Sequence, residues 1–188
     1  MKIKYNAPTV LTFAFLSALV LILSQTVMRS LTELWFVVPG RGGFSPGNIR
    51  HWLSLVTHVL GHANWPHLVS NFAFILLIGP ILEEIYGSIA LFIMIFITAF
   101  VTGILNVFFF SSGLLGASGV VFMMILLASF TNFNKGEIPL TFILVLILYL
   151  GRELFDSIGA QNNNISQFAH IVGGFIGSLF GFFRVPKR

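Results

Sequence analysis

The sequence predicts an all-α membrane protein, a single bundle of six transmembrane helices. Two observations carry this prediction. Of the 188 residues, 56% are hydrophobic and only 9% are charged, whereas soluble domains carry about 25% charged residues. The apolar residues also fall into six separate runs, most of them near the roughly 20 residues that a helix needs to cross the hydrocarbon core. Because a soluble fold of this size could not bury so much apolar surface, the membrane class comes first.

The six runs define the predicted spans, and neither a second domain nor an internal repeat divides residues 1–188. The first run is expected to be a retained helix, since it is long enough to span and no small-residue cleavage signal follows it. The fifth run is short for a span. The predicted helices cover approximately residues 10–28, 65–82, 88–110, 114–130, 138–150 and 168–183.

The basic residues predict the orientation of the bundle. The net charge is +4, but the basic residues are dispersed and flank apolar runs, which suits lipid headgroups and topology better than nucleic acid. With six spans, both termini lie on one side of the membrane. That side carries Lys2, Lys4, Lys135, Arg184, Lys187 and Arg188, against Arg29, Arg41, Arg50 and Arg152 on the other. We therefore expect both termini in the cytoplasm and the loop of residues 29–64 outside.

Polar groups lie near the starts of predicted helices two, four and six, all of which begin on the outer side. His67 and Asn71 fall in the first turns of helix two, Ser118 in the first turn of helix four and His170 in the first turn of helix six. The topology places them at a similar depth, just below the outer interface. Since polar and ionisable groups inside membrane helices are costly and mark functional sites, they form the candidate active site.

Ser118 is the candidate nucleophile and His170 the candidate general base. Gly116 and Gly119 leave the Ser118 hydroxyl and amide sterically open, and the positive end of a helix dipole favours a developing oxyanion there. The sixth helix carries a small-residue face at Gly173, Gly177 and Gly181. Packing of this face against Gly116–Gly119 would bring the His170 ring within hydrogen-bond reach of Ser118, as an activated serine requires. Taken singly, the serine also fits a helix-packing patch and the histidine an interhelical hydrogen bond.

His67 and Asn71 are spaced i, i+4 and so share one helix face. Opposite Ser118 they would supply an oxyanion hole together with the Ser118 backbone amide, although interhelical hydrogen bonding alone also explains such a pair. A third, acidic member of the site is hard to find, because Asp156 and Glu153 fall in a loop. The sequence therefore favours a Ser–His dyad over a triad.

The histidine cluster in the first loop is a poor candidate for a metal site, and no cofactor is expected. His51, His58, His62 and His67 lie close together, but the stretch has neither an HExxH motif nor an acidic residue. The chain also has no cysteine, which excludes thiolate ligands. We interpret these histidines as groups that order a loop at the membrane interface.

Three segments together resemble the rhomboid family of intramembrane serine proteases, in its compact six-helix bacterial form. They are His62–Asn71, Gly116–Gly119 and Ala169–Gly174, and their order and helix placement match as well. The resemblance implies a bacterial inner-membrane location, transmembrane proteins as substrates and lipids as surroundings. It implies that Ser118 is the nucleophile, that His170 is the base and that His67 and Asn71 donate to the oxyanion. It further implies a partly embedded first loop and a helix end steadied by Glu83.

The chain departs from the family pattern at two places. The Trp-Arg pair that many members carry in the first loop is replaced by Leu53-Ser54, so the role of that pair is in doubt here. Phe122 stands where many members have Tyr, so its ring keeps the ability to stack on His170 but has no hydroxyl.

Two other functions remain open at the level of the sequence. A small transporter or channel would use the same polar cluster as a permeation site, although no inverted repeat and no mid-membrane acid are apparent. An inactive, rhomboid-like protein that binds membrane clients is the other. The oligomeric state is not determined by the sequence.

Overall fold

The computed structural model describes residues 2–130 and 164–183, together with positions 140, 143, 144, 147 and 148. In this part of the chain the regular structure is helical, and the only extended pairing is a single antiparallel bridge between Val38 and Leu114. The helices are α1 (Pro8–Thr26), α2 (Leu31–Trp35), α3 (Ile49–Thr57), α4 (Trp65–Tyr86), α5 (Ser88–Phe109), α6 (Ser118–Ser129) and α7 (Asn164–Phe183), with a 3₁₀ turn at His58–Leu60 after α3.

Three of the described helices, α1, α4 and α5, are long and apolar enough to cross a membrane. Shorter apolar stretches are Ser118–Ser129 in α6 and Phe168–Phe183 in α7. Five of the six expected helices therefore have a counterpart. The expected fifth helix, residues 138–150, lies outside the described residues except at five positions, which are helical, exposed and spaced along one helix face. The count of six spans and the orientation of the termini remain predictions.

The ends of α1, α4 and α5 meet at one side of the bundle. The Glu83 carboxylate, near the end of α4, accepts hydrogen bonds from the backbone N–H groups of Thr9 (2.8 Å) and Val10 (3.0 Å) in the first turn of α1. These two amides have no acceptor within their own helix. Gly87, with φ +85°, makes the turn into α5, and the Thr9 hydroxyl donates to the Ser88 carbonyl at 2.9 Å. Helices α1 and α4 are consequently antiparallel.

The first loop, residues 27–64, joins the end of α1 to the start of α4 and packs against α5. The Asn64 side chain caps α4 by accepting from the His67 backbone N–H at 2.9 Å. Helix α3 packs closely on α5 at Gly103, where an added Cβ would lie 2.6 Å from the Leu55 carbonyl oxygen. The Arg50 guanidinium lies over the Trp35 ring at 5.1 Å. The loop is therefore a packed element anchored to α5.

Helix α6 lies at the centre of the bundle. Every residue from Gly119 to Leu127 is buried, although α6 has only 12 residues. It begins at Ser118, four residues after the start of the predicted run at Leu114, because Leu114 is held in the bridge to Val38. Gly116 then turns the chain with φ +114°, in the left-handed region that favours glycine.

Candidate active site

Helices α6 and α7 touch along a line of glycines. A Cβ added at Gly173 would overlap the Gly119 carbonyl, one added at Gly177 would overlap the Met123 carbonyl, and one at Gly181 would meet the ring of Phe130. The spacing of these glycines predicted such a close approach, because only small residues let two helix backbones come together. The contact fixes how the start of α6 sits against α7.

Ser118 and His170 lie at this contact. An added Cβ at Gly119, next to Ser118, would lie 3.2 Å from the carbonyl oxygen of Ala169, next to His170. The His170 ring stacks on Phe122 with a centroid distance of 4.2 Å and an interplanar angle of 5°. Because Phe122 is four residues after Ser118, the two share one face of α6. The structure therefore places both predicted dyad residues, each half-buried, at one α6–α7 contact.

The backbone around Ser118 is well suited to bind a negative charge. Ser118 is the first residue of α6, and the N–H groups in the first turn of a helix have no intrahelical acceptor. These amides form the positive end of the helix dipole. The preceding loop is held in place by a hydrogen bond from the Gly116 N–H to the His58 carbonyl oxygen, 3.0 Å long.

His67 reaches the same loop from α4. An added Cβ at Gly116 would lie 2.7 Å from Cε1 and 2.8 Å from Nε2 of the His67 ring, so the ring occupies the space that any larger residue at position 116 would take. Asn71, one turn further along α4, is buried, and its side-chain amide donates to the His67 carbonyl oxygen at 3.0 Å. His67 and Asn71 thus share one face of α4, and the His67 ring on that face lies against the loop before Ser118.

Two histidines of the first loop, His58 and His62, pack next to the site. The His58 ring hydrogen-bonds through Nε2 to the Ala99 carbonyl of α5 at 3.1 Å. The His62 ring contacts the Leu60 carbonyl through Nδ1 at 3.3 Å and lies edge-on to the His67 ring, with centroids 5.0 Å apart. Burial lowers the pKa of each of these imidazoles to about 4, so both are neutral near pH 7.

The described part of the chain brings no set of metal ligands together at the site. Among the residues that the structure describes, no group of three His, Cys, Asp or Glu side chains is placed to hold a metal ion. Glu83 lies at the far end of α4, bonded to α1. Asp156 and Glu153 fall outside the described residues.

Sequence reasoning missed the residues that hold the site from outside it. The His58 carbonyl and the Val38–Leu114 bridge position the loop before Ser118. Neither contact can be recognised from the composition of the sequence or the spacing of its residues. The Asn64 cap is different, because an Asn directly before Trp65-Pro66 is a recognisable helix-start signal. The first loop also contains a Trp-Arg contact, between Trp35 and Arg50. The family pattern places its Trp-Arg pair elsewhere, at the positions of Leu53-Ser54.

Comparison with known proteins gives two kinds of match. The family model described as "Rhomboid domain" matches residues 50–187. The protein named "Rhomboid protease GlpG" of Haemophilus influenzae is 23% identical over 131 residues, which cover 68% of this chain and 67% of that protein. The protein named "Putative rhomboid protease YdcA" of Bacillus subtilis is 28% identical over 144 residues, which cover 73% of this chain and 69% of that one.

Proposed function

The chain belongs to the rhomboid family, and on this premise we propose that it is an intramembrane serine protease whose dyad is Ser118 and His170. The substrates are transmembrane segments of other proteins. The observation that carries the proposal is the glycine contact of α6 with α7. At this contact Gly119, next to Ser118, packs against Ala169, next to His170. The stacking of His170 on Phe122 supports it, because a base must be held in a fixed orientation.

In the proposed reaction His170 takes the proton of the Ser118 hydroxyl as Oγ attacks the scissile carbonyl carbon. The tetrahedral intermediate then collapses: the peptide C–N bond breaks, and His170 passes the proton to the leaving amine. An acyl-enzyme ester remains on Ser118. Water, deprotonated by the same imidazole, hydrolyses the ester and returns the free serine.

The oxyanion in this proposal is bound by the Ser118 backbone N–H and by the side chains of His67 and Asn71. The amide lies at the positive end of α6, and the His67 ring lies against Gly116 two residues earlier. The Asn71 amide has two hydrogens, of which one is used by the His67 carbonyl. Removal of one oxyanion donor typically costs about 2.7–4 kcal/mol of transition-state stabilisation.

The substrate must offer an extended backbone to this site. The carbonyls of a helix are already hydrogen-bonded and shielded, so cleavage requires local unwinding near the membrane interface. Glycine and proline lower the cost of unwinding because they are the poorest helix formers. We infer that preferred substrates carry such residues in the outer part of a transmembrane segment.

The proposed setting is the inner membrane of a bacterium, with both termini in the cytoplasm. The basic residues at both ends of the chain support this orientation. The first loop then lies at the outer surface, partly embedded in it. Its helix α3 exposes Ile49, Trp52 and Leu53 on one face, as suits a helix resting in the interfacial region.

The test is cleavage of a labelled single-span substrate with a glycine-containing outer segment, reconstituted in liposomes. Ser118→Ala and His170→Ala are expected to abolish cleavage and to lower labelling by a fluorophosphonate probe. The matched serine control is Ser129→Ala at the other end of α6, whose hydroxyl donates to the Ile125 carbonyl of its own helix. The matched histidine control is His51→Ala in the first loop.

Cleavage that persists in Ser118→Ala would refute Ser118 as the nucleophile and with it the serine-protease proposal. Absence of cleavage by the unmodified protein, with no labelling of Ser118, would favour a client-binding protein without activity. Labelling of Ser118 without cleavage would show an activated serine and a wrongly chosen substrate.

A further inference from the structure

The His62 ring, buried beside His67, has a nitrogen that the proposed mechanism does not use. His62 is only 1% exposed, and its Nδ1 lies 3.3 Å from the Leu60 carbonyl oxygen. Its Nε2 is buried without a hydrogen-bond partner among the residues that the structure describes. A buried polar group left without a partner costs about 1–3 kcal/mol, and an apolar side chain would fill the same space without this cost. The histidine therefore indicates a role beyond packing.

The contacts of His62 show which of its nitrogens carries the hydrogen. A carbonyl oxygen can only accept a hydrogen bond, so the nitrogen beside Leu60 is the one that donates. Burial lowers the pKa of His62 to about 4, and the ring is therefore neutral near pH 7 with a single N–H. Its Nε2 consequently presents a lone pair that needs a donor.

In the described part of the chain two rings lie against His62, and one of them has polar atoms. The Phe72 ring lies edge-on with centroids 5.7 Å apart, but it has neither an N–H group nor a lone pair. The His67 ring lies edge-on with centroids 5.0 Å apart and 66° between the planes. His67 is thus the neighbouring ring whose protonation His62 can influence.

The ring of His67 needs a neighbour of this kind, because its helix fixes only its backbone. The Asn64 side chain accepts from the His67 backbone N–H at 2.9 Å, which leaves the ring free to rotate. A Cβ added at Gly116 would lie 2.7 Å from Cε1 and 2.8 Å from Nε2 of this ring, but 3.8 Å from Nδ1. To donate to an oxyanion at Ser118, the ring must therefore carry its hydrogen on Nε2.

A direct hydrogen bond between the two rings would give the wrong tautomer. The donor would be Nδ1 of His67, and a neutral His67 would then have no hydrogen on Nε2. One water molecule between the rings gives the opposite result, because it can donate one hydrogen to each of two lone pairs. Buried waters typically bridge polar groups that otherwise lack partners.

Resting on the proposed function, we propose that His62 is a positioning residue for the oxyanion donor His67. A water bound by the lone pair of His62 donates its second hydrogen to Nδ1 of His67, which keeps the hydrogen of His67 on Nε2. The chain of hydrogen bonds then runs from the Leu60 carbonyl through both rings to the oxyanion, and each group in it is neutral. His62 itself does not touch the substrate.

The first test is the tautomer of His67, read by nitrogen NMR of protein with isotopically labelled histidine rings at pH 8. Ring nitrogens with and without hydrogen differ strongly in chemical shift, and the chain has only five histidines, so His67→Ala identifies the signals. We expect the hydrogen of His67 on Nε2 and that of His62 on Nδ1. In His62→Phe the His67 signals should show both tautomers, whereas His62→Gln, whose side-chain oxygen can bind the same water, should keep Nε2 protonated.

The second test separates positioning from packing by the kinetics of cleavage per folded molecule. Because the oxyanion exists only in the transition state, His62→Phe should lower kcat and leave KM unchanged. We expect a loss of about tenfold or more, below the roughly 10²–10³-fold loss expected when His67→Ala removes the donor itself. His62→Gln should stay within about threefold of the unmodified protein, since it keeps an acceptor. The matched control His51→Phe should change neither kcat nor the His67 signals.

A hydrogen on Nδ1 of His67 in the unmodified protein would overturn the proposal, and this measurement needs no variant of His62 to fold. Equal kcat in His62→Phe and the unmodified protein would also overturn it, as would a loss in His62→Gln as large as that in His62→Phe. Because the tautomer is measured without substrate, it tests the role of His62 separately from the proposed protease activity, which cleavage by the unmodified protein tests.

Discussion

The contact between Gly173 and Gly119 is the point at which the structure can be perturbed most sharply. A Cβ at position 173 would lie 2.8 Å from the Gly119 carbonyl carbon, where ordinary contact begins at 3.4 Å. The gap must open by 3.4 − 2.8 = 0.6 Å for this atom. The carbonyl oxygen lies nearer still, so α7 must move by roughly 1 Å. Displacement of about 1 Å at a catalytic group can cost ~10²-fold in rate.

We therefore expect Gly173→Ala to lower the rate of substrate cleavage by about 10²-fold. The cost in folding stability should be about 1–3 kcal/mol, as for other overpacked sites. Both quantities are measured on one sample: initial cleavage rate in liposomes, and the thermal unfolding midpoint in detergent. Fluorophosphonate labelling of Ser118 should fall together with the cleavage rate, because both need the base beside the serine.

Two further glycines make this a graded series. At Gly181 the atoms nearest to an added Cβ belong to the Phe130 side chain, whereas at Gly173 they are backbone atoms of Gly119. Because a side chain can shift more readily than a helix backbone, Gly181→Ala should cost less than Gly173→Ala. Gly47 has open space around it and no positive φ, so Gly47→Ala should behave as the unmodified protein. If Gly173→Ala keeps full activity at an unchanged midpoint, the inference that this contact positions the dyad is wrong.

Other predictions follow from single contacts. Glu83→Ala should lower stability by about 1–3 kcal/mol, because two backbone amides lose their acceptor, while the cleavage rate per folded molecule stays near normal; a lowered rate without a lowered midpoint would contradict this. Phe122→Ala should reduce cleavage through loss of the ring stacked on His170, a contact worth about 0.5–1.5 kcal/mol, whereas Phe122→Tyr should retain it. Stability should fall as pH drops from about 6.5 to 4, because His58 and His62, with pKa values of about 4 in the folded state, take up protons first when unfolded. Each would contribute up to about 3 kcal/mol, and thermal midpoints of His62→Phe from pH 8 to 5 should show a flatter profile. Cleavage should also fall on acidification as His170 protonates, and a flat rate from pH 8 to 5 would argue against His170 as the base.

The fold was predictable from the sequence where its cause is local. Apolar runs of spanning length predicted α1, α4 and α5, and alternation of their direction placed His67, Ser118 and His170 at one end of the bundle. The spacing of Gly173, Gly177 and Gly181 further predicted the partner of α7, because a small-residue face needs another close surface.

The sequence did not predict the contacts between distant parts of the chain. Helix α6 was expected to begin at residue 114. It begins at Ser118 instead, because Leu114 pairs with Val38. Nothing in either segment alone indicates that pairing. The Trp35–Arg50 contact also escaped notice, since its members lie in different helices of the first loop.

What the sequence by itself determined is the membrane class, the approximate positions of five of the described helices, and the residue types able to carry serine chemistry. Helices in lipid satisfy their backbone within one segment, so a run of residues is enough to specify each of them. Only the tertiary structure decided where the Ser118 loop sits, through the carbonyl of His58 and the bridge to Val38. Only it decided that Glu83 completes α1, more than 70 positions away in the chain. Such contacts depend on which backbone groups are left without partners once the helices have packed, and that is a property of the assembled bundle.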